Sequence, residues 1–256
     1  MILICYGITK SGSTLAFELA KGVLSAAGHE QTQLADGLVE PGRRINFINR
    51  ITPERLNPLM EAVPGDKVIA VKTHAGFKRS MLPYLDQKVE EGKLKVHAAY
   101  RDPREICLSL VDAGERARAK GKQAFADVQT LDTASENVSK QLTSFLRWAS
   151  VKNALRLNYN STAFDMDNAV ARMAEHLGVE VDAPAVGAAV TGGAFTQKNK
   201  AVKDRYKDDL TVRQNEKLYE YFKNFIDHAC TEQDEAWFEK RRERMLKDAG
   251  QDEEAA

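Results

Sequence analysis

The chain opens on six residues without a charge, Met1-Ile-Leu-Ile-Cys-Tyr6, and the run stops at Gly7. A short apolar run closed by glycine is the pattern of a strand buried on both faces. Leu15, Leu19, Val23 and Ala27 then recur at every fourth position, which places them on one side of a helix, and Gly28 stands where that helix has to stop. Residues 29–65 are broken by Pro41-Gly42, Pro53 and Pro64-Gly65 and read as loop with one short helix. Val68-Ile-Ala-Val71 predicts a second strand, ending in Lys72-Thr-His74, and Leu94-Lys-Val-His-Ala-Ala-Tyr100 a third, leading into Arg101-Asp-Pro103. Pro103 suits the first turn of the helix that follows, where Ile106, Leu110 and Ala113 share a face.

Further along, residues 114–135 are polar, with Arg116, Arg118, Lys120 and Lys122 close together, and read as a solvated face in preference to a mobile segment beside a substrate. Val138, Leu142, Phe145 and Ala149 mark an amphipathic helix, and Ala154-Leu-Arg-Leu-Asn-Tyr159 a fourth strand. Val170, Met173 and Leu177, closed by Gly178, give the next helix. Residues 191–209 turn glycine-rich and then lysine-rich, the signature of a loop. Leu218, Phe222, Phe225 and Ile226 form a last apolar stripe, and a charged stretch over residues 239–256 is expected to be a C-terminal helix or to fray. Strand, loop and helix alternating in this way predict an α/β fold, a mostly parallel central sheet with helices on both faces. No repeat or shift of composition divides the chain, so residues 1–256 are read as one domain.

Composition narrows the classes. With 37 Lys+Arg against 37 Asp+Glu the net charge is zero, which removes a strong overall field for nucleic acid or an anionic membrane but leaves room for a local basic cleft. Aromatics at 7% offer no stripe for stacking bases. Cys5, Cys107 and Cys230 lie far apart and read as reduced thiols. The apolar opening is far shorter than the roughly 18 residues of a membrane helix and lacks the basic flank of a signal peptide. A cytoplasmic location is the expectation.

In a parallel sheet ligands bind at the carboxyl ends of the strands, where the candidate chemistry also falls. Gly7-Ile-Thr-Lys-Ser-Gly12-Ser-Thr14 keeps the glycine spacing of the phosphate-binding loop GxxxxGK[ST] after a strand and before a helix, so backbone N–H groups can cradle an anion. The lysine is displaced: Ser13 stands in its place, and Lys10 lies three residues earlier. A nucleoside triphosphate would lose its main cationic clamp by that change. His74 closes the second strand with an intrinsic pKa suited to proton transfer near neutrality. Arg101 ends the third strand and Ser109 follows eight residues later; the arginine either grips a phosphate or pairs with Asp102 or Glu105. Lys198, Lys200, Lys203, Arg205 and Lys207 would suit closure over a multiply charged anion, as they would a solvated loop.

Taken in order, Lys10-Ser-Gly-Ser-Thr14, Lys72-Thr-His74 and Arg101-Asp-Pro-Arg-Glu-Ile-Cys-Leu-Ser109 resemble three motifs of the cytosolic-type sulfotransferases, approximately PKSGTTW, KTH and RNPxDxxxS. Asn158-Tyr159-Asn160 and the helix after it look like that family's YED segment, so the likeness runs in patches from Tyr6 to about Thr211. The resemblance implies a donor, 3′-phosphoadenosine 5′-phosphosulfate (PAPS), whose sulfuryl group passes to a hydroxyl or amine. It implies that Lys10, Ser11, Gly12, Ser13 and Thr14 hold the 5′-phosphosulfate, Arg101 and Ser109 the 3′-phosphate, and that Tyr159 approaches the adenine. Lys10 would stabilise the leaving phosphate, Ser109 would join it in the catalytic set, and His74 would act as general base. Lys200 is carried over from a late RKG stretch that here reads Asn199-Lys200-Ala201. Two further departures are Thr9 for the loop proline and Leu15 for the tryptophan that stacks on adenine.

No metal is required by that chemistry. A small-molecule or carbohydrate acceptor is the expected partner, with no nucleic acid and no membrane span; the oligomeric state, a homodimer included, is left open. Two other readings remain at this stage: a small-molecule kinase using ATP and Mg²⁺, with Asp102 as metal ligand, and a non-catalytic nucleotide-binding module.

Overall fold

The computed structural model describes residues 1–193, 202–231 and 233–254. Its centre is a sheet of five strands in the order β2-β3-β1-β4-β5, every pair parallel. The strands are β1 (Ile2–Gly7), β2 (Phe47–Ile48), β3 (Ile69–Thr73), β4 (Leu94–Tyr100) and β5 (Leu155–Asn158). β1 occupies the middle because it can be covered twice. Ile2, Ile4 and Tyr6 pack into one hydrophobic layer and Leu3 and Cys5 into the other, as the two-residue period of a strand requires.

The first layer holds α2 (Pro53–Glu61), α3 (Leu82–Glu90), α4 (Pro103–Ala119), α5 (Leu131–Ala149), α10 (Val212–Phe225) and part of α11 (Glu235–Glu254). The second holds α1 (Ser13–Ala26), α7 (Met166–Leu177) and α8 (Ala183–Gly193). Short helices α6 (Tyr159–Phe164) and α9 (Tyr206–Asp209) complete the described elements, with a 3-10 turn at Arg79–Met81 and a π-helical turn at Ile226–Thr231. The chain leaves β1 toward β3 and leaves β4 toward β5, so the direction of winding reverses between β1 and β4. Such a switch point opens a crevice at the carboxyl ends of the strands.

Two elements, α8 and α9, differ from the sequence expectation, and in two other places the structure extends it or decides between its alternatives. Residues 114–119 continue α4 and present Arg116 and Arg118 on the expected solvated face, with Lys120 and Lys122 exposed just beyond, while Gly114 lets the following loop close down: a Cβ there would lie 2.1 Å from the Val128 carbonyl oxygen. Arg118 Nη1 fastens that loop through the carbonyls of Ala126 and Val128, at 3.0 and 3.1 Å. Helix α8 takes in Thr191, where a loop was expected, and is held by close approach to α1: a Cβ on Gly22 would meet Val190 at 2.9 Å. Tyr206–Asp209 forms a single helical turn within the same expected loop. The charged C-terminal stretch does not fray over its described length. Phe238 and Ala249 are buried, and Arg242 pairs with Asp86 at 2.7 Å across the layer.

The edge strand β2 and helix α3 had no counterpart in the sequence reading. Cys5, Cys107 and Cys230 are free thiols. No helix among the described residues is long and apolar enough to cross a membrane.

Candidate functional site

A cavity of about 510 Å³ occupies the crevice, lined from the β1 loop, the ends of β3 and β4, helix α6 and Thr191 of α8. It brings together Lys10, Gly12, Ser13, Thr14, His74, Arg101, Ser109 and Tyr159. Ser11 is the exception: its Oγ donates to the carbonyls of Ile8 (2.7 Å) and Ala99 (3.3 Å) and its N–H to Ile8 (3.0 Å). The side chain expected on a ligand is turned into the protein and fixes the loop. Lys200 lies outside the described residues.

The loop backbone is unusual in two places. Lys10 has φ 71°, a left-handed conformation that L residues with a side chain seldom adopt. Strain of that kind accumulates at ligand-binding turns. Gln141 of α5 pins the turn from outside, its Oε1 accepting the Thr9 N–H at 2.7 Å. Gly12, at φ 81°, precedes α1, which has neither a side-chain cap nor an acidic residue in its first turn. The helix therefore presents its partial positive charge to the cavity.

Gly12 is also where Tyr159 comes closest. A Cβ on it would stand 2.3 Å from the tyrosine ring, whose face carries the Arg101 guanidinium at 4.1 Å. Gly12→Ala combines left-handed strain of about 1–2 kcal/mol with overpacking of about 1–3 kcal/mol. The expected result is a loss of ~2–5 kcal/mol in urea unfolding. A loss below about 1 kcal/mol would mean that Tyr159 swings aside freely.

Of the two roles that the sequence left open for Arg101, the structure shows the pairing with Glu105 and leaves the side chain on the cavity wall. Glu105 is buried, and its second oxygen accepts the Tyr206 N–H at 2.8 Å. Asp102 is committed elsewhere. It caps α4 through the Arg104 N–H (2.9 Å) and holds the Arg104 guanidinium at 2.6 Å.

His74 donates from Nδ1 to the Gly7 carbonyl at 2.6 Å, since a carbonyl can only accept. That bond fixes the tautomer and leaves the Nε2 lone pair free. Burial, with the Lys72 and Arg43 charges, lowers its pKa despite the Gly7 bond, so the ring is neutral near pH 7. Lys72, for which the sequence leaves open a charge near the transferring group or a simple strand flank, donates to Thr14 Oγ1 at 2.8 Å. Its burial pulls the ammonium down to about 8. The Lys10 pKa is lowered by burial and then by Arg116, with Asp112 opposing.

Among the described residues that line the cavity, Lys10, Arg43 and Arg101 are cations and none is a carboxylate. Hydroxyls from Ser13, Thr14 and Ser109 stand among them, and Phe164 and Leu15 add apolar surface beside Tyr159. This donor set suits a multiply charged anion attached to a flat apolar group. Phe164, Phe125 and Thr191 had no sequence signal, because each belongs to a segment brought here only by packing. Arg43 lies over the Phe47 ring at 4.9 Å, and Phe47 touches the His74 ring at 5.9 Å.

No family model and no curated protein matches this sequence. Solved structures do match it. Mouse sulfotransferase SULT7A1, complexed with PAP, is similar over 94% of this chain and 88% of its own, with 15% identity and a TM-score of 0.56. Retinol dehydratase in a complex with retinol and PAP is similar over 88% and 81%, again with 15% identity and a TM-score of 0.56. The same dehydratase with androsterone and inactive cofactor PAP gives 14% and 0.52 over 88% and 80%. With its all-parallel sheet and flanking helices, this chain has the sulfotransferase fold.

Proposed function

We propose that the protein is a PAPS-dependent sulfotransferase acting on a hydroxyl or amine of a small-molecule or carbohydrate acceptor. The observation that carries this reading is the meeting, in one cavity with no carboxylate among its described lining residues, of Lys10, Arg101 and a His74 whose Nε2 is free. When bound, PAPS supplies the sulfuryl group and is left as adenosine 3′,5′-bisphosphate. Ser13, Thr14, the uncapped start of α1 and Lys10 would hold its 5′ end, and Arg101 with Ser109 its 3′-phosphate. Tyr159, with Phe164 and Leu15, offers the base an apolar bed where the family's tryptophan is missing. The PAP named in the complexes of similar fold supports the same donor.

His74 Nε2 takes the acceptor's proton as its oxygen or nitrogen attacks. Lys10 keeps a positive charge beside the phosphate oxygen on which negative charge grows, held there by the loop before the reaction begins. Arg101 and Ser109 act at a distance from the reacting atoms and fix position. The kinase alternative loses support because Asp102, its candidate metal ligand, is committed to the α4 cap and Arg104 and does not line the cavity.

Thermal unfolding tests the reading. Adenosine 3′,5′-bisphosphate at a hundred times its Kd is expected to add about 2.7 kcal/mol of stability without magnesium. For a chain of this size that is a Tm rise of roughly 5–11 °C. ATP with Mg²⁺ should give a far smaller rise; the reverse order would favour the kinase. In Arg101→Ala the bisphosphate shift should shrink far more than the shift from adenosine 5′-phosphosulfate, which lacks the 3′-phosphate. Comparing two ligands on one variant cancels the cost of leaving Glu105 unpaired. Equal shrinkage would assign the arginine to the fold alone.

A further inference from the structure

A second cavity, of about 630 Å³, lies between the 3-10 turn at Arg79–Met81 and helices α5, α10 and α11. It shares no lining residue with the first. Its longest wall is one stripe of α11, in which Trp237, Arg241, Arg244 and Asp248 follow each other at intervals of three and four. Arg79 and Arg147 face that wall from the turn and from α5, and Lys240 stands on the stripe's edge.

Among the described residues five cations thus meet one carboxylate. Of these five only Arg79 has a described ion pair, with Asp248 at 2.5 Å. Arg147 Nη1 donates to the Phe77 carbonyl at 2.6 Å, which leaves its charge uncompensated. Arg241 Nη2 donates to Asn224 Oδ1 at 2.7 Å, and its Nε is buried with no hydrogen-bond partner. Among the described residues Lys240 and Arg244 form no ion pair, and both are exposed. Like charges gathered on one concave surface repel each other, and low-dielectric walls focus their field into the space between them. A buried donor without an acceptor likewise calls for an account. Burial and the neighbouring Arg244 also lower the Arg241 pKa, so its charge is held at a cost that an anion would relieve.

The Trp237 indole is already engaged, by the Arg241 guanidinium over its ring at 4.1 Å and by the His228 ring stacked at 5.5 Å and 15°. Stacking on this tryptophan is therefore not the recognition. The guanidinium and ammonium groups are, and they suit oxyanions. A single tetrahedral ion would leave most of 630 Å³ empty, whereas cavities of about 300–1,000 Å³ take whole organic ligands. We propose that this cavity is a second binding site, for a small organic molecule that carries two or more sulfate or phosphate groups, held by Arg147, Lys240, Arg241 and Arg244.

Calorimetric titration of the full chain with sucrose octasulfate tests it, beside inorganic sulfate at the same total sulfate concentration. One octasulfate is expected to bind, more weakly as sodium chloride is raised, with inorganic sulfate at least tenfold weaker. Lys240→Gln with Arg244→Gln, two exposed changes that break no ion pair, should weaken it at least tenfold and leave Tm unchanged. Lys10→Gln, in the first cavity, should leave the affinity within twofold. Unchanged affinity in the double variant, or loss of binding in Lys10→Gln, would overturn the site. Inorganic sulfate binding as well as the octasulfate would overturn the ligand class and reduce the cavity to a single-ion site. No measurable binding of either would remove the site altogether.

Discussion

His74→Asn is expected to lower the rate of sulfuryl transfer by about 10²–10⁴-fold, the usual worth of a positioned general base. Affinity for adenosine 3′,5′-bisphosphate should stay within twofold. Asparagine is the informative replacement because its amide nitrogen can still donate to the Gly7 carbonyl, as Nδ1 does at 2.6 Å. The contact that ties the end of β3 to the end of β1 then survives while the basic nitrogen is lost. A bisphosphate affinity falling in step with turnover would instead make the histidine a brace for the loop. The pH profile is a second readout. The base must be neutral, so kcat/KM falls as acid is added through the pKa of His74, and burial sets that limb below the usual 6.5. At the other end Lys72, drawn down to about 8, loses its charge beside Thr14, and a falling limb is expected there. In His74→Asn the acid limb should vanish and the alkaline one remain.

What could be read along the chain, and what could not, divides by the range of the interactions. Strands β1 and β4 are buried on both faces, so their composition alone identifies them, and α5 and α10 each repeat one apolar stripe. Lys10, His74 and Arg101 sit at the ends of such strands, and the parallel sheet turns that shared position into a shared cavity. Helix α8 carries three glycines and so little intrinsic preference that packing on Gly22 has to make it. Strand β2 is two residues of edge, too short for any period. Phe125 reaches the site only because the loop that carries it settles on Gly114, a contact invisible locally. The inward turn of Ser11 was illegible for a related reason: the motif marks the residue, but which way its hydroxyl turns depends on the Ala99 carbonyl, 88 positions away.

Acid stability gives the other large effect, centred on a histidine the chemistry does not use. His97 lies on β4 between Cys5 and Leu155 of the adjoining strands, on the side covered by α1 and α7. It is 1% exposed, and neither ring nitrogen has a hydrogen-bond partner. Burial, then the nearby His176 and Lys72, drive its pKa to about 3, and His176 itself, buried and beside Lys95, is held at about 4. The unfolded chain therefore takes up protons below about pH 6.5 that the folded one refuses, and stability falls as pH drops from there toward 3. Between pH 7 and 4 the His97 share is about 3 kcal/mol at ~1.4 kcal/mol per unit. That is a large part of the ~5–15 kcal/mol that holds a domain together. His97→Leu removes the titration and two unpartnered polar atoms without breaking a hydrogen bond, so it should be neutral or stabilising at pH 7. Urea unfolding of both proteins at pH 7 and 4 measures the difference. The parent should lose ~3 kcal/mol more than the variant across that interval. Parallel losses would mean that the ring reaches solvent, or a partner, before the fold opens.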